Sequence, residues 1–166
     1  MEYFGISPNI YPLLFGANVL LYMVLNRFNM KLLNRYDPIQ LIPVGLTLQV
    51  AASFSLVVYT VMFEPQFIVV YLLILMNICS ISLIAANATS CALKYFPDVS
   101  GTANAVIGTM NFGLAGLTGI IASLFHDGTL LPMVVTMLVG SSLSLLAFTV
   151  SRRVPEPDFE QARHRL

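Results

Sequence analysis

The chain has 166 residues, 57% of them hydrophobic and 10% charged, with a mean hydropathy of +0.82. A water-soluble domain carries about 25% charged residues, so this composition excludes a soluble fold and makes the lipid bilayer the main partner. The formal net charge is zero, which removes any bulk electrostatic case for nucleic acid.

A helix crosses a hydrocarbon core of about 30 Å with roughly 20 apolar residues. Five such stretches follow in chain order, at about 9–29, 39–63, 67–93, 102–125 and 130–151. All are too long and too evenly apolar for barrel strands. The expected fold is therefore an all-α membrane domain over residues 1–153, followed by a polar tail at 154–166. The opening stretch Met1–Pro8 carries Glu2 and no Lys or Arg, unlike a secretory leader.

The breaks are of recognisable kinds. Asp37-Pro38 and Glu64-Pro65 join a charge to a residue that cannot continue a helix. His126-Asp127-Gly128 reads as a turn, and Pro97 to Gly101 as another, with Asp98 or Ser100 a candidate cap for the fourth helix. Pro12, Pro43 and Pro132 fall near helix starts, where proline is tolerated. Trp is absent, so interfacial aromatics must be Tyr and Phe. Cys79 and Cys91 lie in one apolar run and read as buried small side chains.

With five spans, Arg27, Lys31, Arg35, Lys94, Arg152, Arg153, Arg163 and Arg165 all fall on one face. Glu2, Glu64 and Asp127 fall on the other. The positive-inside rule makes the basic face cytoplasmic, with the N-terminus outside and the C-terminus inside.

No Asp, Glu, Lys, Arg or His lies deep in any span. The polarity that remains is neutral and patterned. Tyr11, Asn18, Tyr22 and Asn29 share a face of the first helix; Asn77, Ser80, Ile84, Asn87 and Cys91 share one of the third. Asn104, Gly108, Asn111, Ala115 and Thr118 share one of the fourth. Helices two and five hold scattered Ser and Thr but no Asn. Each Asn is open to two readings: hydrogen bonding between helices, or lining of a cavity. Three stripes together favour a cavity, with Asn18, Tyr22, Asn77, Asn87, Asn104 and Asn111 as its lining. The fourth helix is also rich in glycine, with Ala115 and Gly119 a pair suited to close helix packing.

His126 and His164 sit outside the spans, and no His, Cys or carboxylate set has metal-ligand spacing. No phosphate-cradling loop and no Ser, His and acid set is visible. The expectation is no enzyme, no metal and no cofactor.

Ala86-Asn87-Ala88, then Phe96-Pro97-Asp98-Val99-Ser100-Gly101-Thr102-Ala103-Asn104-Ala105, then Gly108-Thr109 and Phe112-Gly113 together resemble the major facilitator superfamily. More narrowly they resemble its bicyclomycin-resistance (Bcr/CflA) drug exporters. Phe4-Gly5-Ile6-Ser7, Phe15-Gly16-Ala17-Asn18, Asn26-Arg27 and Arg35 extend the likeness over nearly the whole sequence. The resemblance implies helices 8 to 12 of a twelve-helix, proton-coupled antiporter of the bacterial inner membrane. Helices 8, 10 and 11 of that family border the cavity, and these match the three Asn-bearing helices here. It also implies that the chain is a fragment. The first seven helices, and the proton-coupling acid that usually lies among them, would then be elsewhere, and a small-molecule substrate would be bound only with that missing half. Two other readings stay open: a small protein that partners a larger membrane protein, and a non-functional remnant.

Overall fold

The computed structural model describes residues 10–125 and 128–153. Over them the protein is all-helical: α1 Tyr11–Leu32, α2 Pro38–Met62, α3 Phe67–Leu93, α4 Ser100–Leu124 and α5 Leu131–Ser151, with a short 3₁₀ turn at Pro97–Val99 before α4. All five helices are long and apolar enough to cross a membrane, and a helix satisfies its backbone polar groups within itself, as lipid demands. The protein is a multi-pass membrane protein. The polar tail 154–166, the opening 1–9 and the pair His126-Asp127 lie outside the described residues.

Some local expectations shift. Helix α1 runs to Leu32, so Arg27 and Lys31 stand on its last turns and not in the following loop. Lys31 Nζ lies 5.7 Å from the Phe28 ring centroid, and the Arg152 guanidinium 5.8 Å from that of Phe148, so both basic ends rest on an aromatic close by in sequence. Pro43 is inside α2. Ser100 is the first residue of α4, and no side chain caps that helix at Val99. Cys79 and Cys91 are free and half-buried, both on α3.

The α2–α3 turn is held by aromatics. Tyr59 stacks on Phe63 at 5.7 Å, its hydroxyl donates to the Glu64 carbonyl (3.5 Å), and it accepts from the Gln66 backbone N–H (3.3 Å). After α4 the backbone turns through Gly128, whose φ of +81° is the left-handed conformation glycine adopts without strain.

Helix α3 is the axis of the bundle. It packs most extensively on α2, which also lies along α5; α1 leans on α3. The core sits where α2, α3 and α5 meet, at Leu56, Val70 and Val134. The buried residues of α2, Leu41, Ile42, Gly45, Leu46, Ala52, Ser53 and Leu56, fall on one side of the helix. Gly45 lets α2 and α3 meet. A Cβ there would stand 2.7 Å from Ile84 Cγ1, 3.0 Å from Leu83 Cβ and 3.1 Å from the Ser80 carbonyl oxygen.

Helix α4 is different. It touches α3 and α5 only lightly, and none of its residues is buried. A Cβ on Gly101, Gly108, Gly113, Gly116 or Gly119 would meet nothing within 4 Å. The expected close packing of the α4 glycines is therefore not made among the described residues; the close approach is at Gly45 instead. Small residues permit proximity, but their spacing does not say which helix has a neighbour.

Candidate functional site: the intramembrane polar seams and the cavity beside Asn77

Neutral polar side chains join the helices at three depths. Nearest the start of α3, the Tyr71 hydroxyl donates to Asn18 Oδ1 (3.0 Å) and lies 3.4 Å from the Leu14 carbonyl, tying α3 to α1. In the middle, Ser53 Oγ of α2 donates to Asn77 Oδ1 (3.1 Å). Toward the other end, Asn29 and Asn87 exchange amide hydrogen bonds. Asn87 Nδ2 donates to Asn29 Oδ1 at 3.1 Å, and Asn29 Nδ2 reaches Asn87 Oδ1 at 3.5 Å and the Ser82 carbonyl at 3.2 Å. Asn87 Nδ2 also donates to its own helix at Leu83 O (2.8 Å). Both residues are almost wholly buried, at 2% and 1% exposure.

These bonds use side chains that the helical spacing marks for a cavity. Asn18, Asn77 and Asn87 each reach across to another helix, and Tyr22 is half-buried on α1. Asn104 and Asn111 of α4 are exposed. The partners Tyr71 and Ser53 belong to no Asn stripe, and Asn29 has no distinction within its own. A signal for Ser53 does exist, because it lies on the buried face of α2 with Gly45 and Leu56.

One polar atom is left over. Asn77 is 3% exposed, and its Nδ2 is buried without a hydrogen-bond partner among the described residues. An unsatisfied buried donor costs about 1–3 kcal/mol. Exchanging N and O in this amide would satisfy Ser53 equally and leave the oxygen over instead. Asn77 borders a cavity of about 330 Å³ between α2, α3, α4 and α5, where Gln49, Thr118, Thr136, Gly140 and Ser141 also contribute. Pockets for small molecules begin near 300 Å³. No ionisable residue lines it. Among the described residues no group of His, Cys, Asp or Glu could hold a metal ion.

Five apolar helices, the first three of them joined at depth by uncharged hydrogen bonds, define a multi-pass helical membrane protein. In sequence, it is 23% identical over 148 residues to a bicyclomycin resistance protein homolog of Haemophilus influenzae (strain ATCC 51907 / DSM 11121 / KW20 / Rd). That match takes in 87% of this protein and 36% of the relative, so the chain spans little more than a third of the length of the curated protein it matches. No family model matches the sequence, and no solved structure does.

Proposed function

We propose that the protein forms the C-terminal part of a membrane exporter of small, mostly apolar molecules, of the major facilitator type. The observation that carries this reading is the match along 87% of its length to a protein named for bicyclomycin resistance. The absence of Asp, Glu, Lys, Arg or His deep in the described helices supports a division of labour. These helices supply neutral contacts to the transported molecule, while the acid that carries protons belongs to a part outside them. Alternating access needs two halves moving about a shared site, so this portion would work with further helices. The polar residues Asn18, Tyr22, Asn77, Asn87, Asn104 and Asn111 remain its proposed contacts. Exposed Asn104 and Asn111 support the reading, because amides on a helix face gain most from a neighbour or a water-filled cavity.

Deleting the coding sequence in the source cell is expected to raise the accumulation of small neutral antibiotics, bicyclomycin among them, several-fold. Unchanged accumulation across such a panel, with the protein present in wild-type membranes, would count against export.

The proposed orientation in a bacterial inner membrane places Glu64 outside and Arg153 inside. Alkaline phosphatase fused after Glu64 should be active, and a green fluorescent protein fused after Arg153 should fluoresce. The reverse pattern would invert the topology.

A further inference from the structure

A groove of about 480 Å³ lies at the end of α1, lined by Arg27, Met30, Lys31 and Asn34. The spacing sets these residues on one side of the helix and of the turn that follows it, with Arg27 and Lys31 about one turn apart. Two like charges four residues apart repel and weaken a helix. Among the described residues neither has an anionic partner, and Lys31 Nζ has the Phe28 ring at 5.7 Å. No carboxylate lines the groove. The carbonyl end of a helix carries about half a negative charge, less than the two positive charges beside it here.

Depth narrows the kind of anion. Residues 11–26 of α1 include no Asp, Glu, Lys or Arg. At 1.5 Å a residue they rise about 24 Å, most of a hydrocarbon core of about 30 Å. Arg27 therefore stands at the edge of the core, and Lys31 about 6 Å further out. At that level phosphate comes attached to acyl chains. Exposed Met30 adds an apolar contact to the same wall.

We propose that this groove binds the headgroup of an anionic phospholipid, its phosphate shared by Arg27 and Lys31. Guanidinium N–H groups suit two phosphate oxygens at once, and the ammonium adds a point charge. The exposed Asn34 amide both donates and accepts, which suits the hydroxyls of a glycerol headgroup. A choline or ethanolamine headgroup fits worse. Its cationic end would meet two like charges and no carboxylate. The site does not require that the protein exports anything.

Native mass spectrometry of the full chain in a mild detergent tests this, with phosphatidylglycerol and phosphatidylcholine of the same chains as probes. One phosphatidylglycerol should stay bound at concentrations where phosphatidylcholine does not. Arg27→Gln with Lys31→Gln should weaken it about tenfold, since each basic residue near an anionic headgroup contributes roughly fivefold. Both side chains are exposed, so the helix packing is left intact. Arg152→Gln with Arg153→Gln takes the same charge from the end of α5 and should leave binding unchanged. Equal losses from the two double variants would reduce the effect to overall charge and overturn the site. So would phosphatidylcholine binding as tightly as phosphatidylglycerol. Glycerophosphoglycerol, the same headgroup without chains, should compete only weakly. Displacement at the lipid's own concentration would give the groove to a soluble phosphate ester and overturn the lipid.

Discussion

Gly45→Val is expected to destabilise the bundle by about 1–3 kcal/mol, the usual cost of forcing extra carbons into a filled interior. Even Gly45→Ala should lose stability. In an open helix that change gains up to about 1 kcal/mol of propensity, but here the new Cβ meets Leu83 Cβ at 3.0 Å and the Ser80 carbonyl oxygen at 3.1 Å. Neither atom is the free end of a flexible side chain, so α2 and α3 would have to separate. Gly116→Ala on α4 is the contrast, because its Cβ meets nothing within 4 Å; it should be neutral or slightly stabilising. Cys79 and Cys91, free and half-buried on α3, supply the readout: thiol labelling during a thermal ramp in mild detergent. The labelling midpoint should fall by several degrees for Gly45→Val and hold for Gly116→Ala. Equal midpoints would mean that α2 and α3 do not approach at Gly45.

The second large effect is at the Asn29–Asn87 pair. Asn87→Leu removes two interhelical contacts and leaves the buried Asn29 amide with the Ser82 carbonyl as its remaining partner. Hydrogen bonds between membrane helices contribute about 0.6 kcal/mol on average and up to about 1–2, and the amide left short of partners adds to that loss. A total near ~2 kcal/mol is expected. The double variant Asn29→Leu with Asn87→Leu should be less damaging than the sum of the two single changes, because it leaves no orphan amide. Strict additivity in the same thiol-labelling assay would show that the two amides do not pair.

These two sites differ in how visible they are from sequence. Asn87 stands out in any reading, since an amide in an apolar run calls for explanation. Its partner does not, because Asn29 on α1 and Asn104 on α4 are both open to it from spacing. The tertiary structure pairs Asn87 with Asn29, and gives Asn18 to Tyr71 and Asn77 to Ser53. Gly45 is inconspicuous as a lone glycine in α2, while the five conspicuous glycines of α4 meet no neighbour. Gln49 and Ser141 give no hint in the sequence that they share a cavity with Asn77.

The sequence by itself determined the five spans and the lack of Asp, Glu, Lys, Arg and His at depth, and with five spans it gathers the basic residues on one side. These are local or summed properties. A span is a matter of some ~20 consecutive transfer energies, and its backbone hydrogen bonds close within it. Only the tertiary structure decided which face of each helix meets which neighbour. In water a helix declares that face by being apolar on one side, but in lipid nearly every face is apolar and rotation about the axis is set by packing. That is why α4 reads much like the others as a segment yet lies at the margin of the bundle.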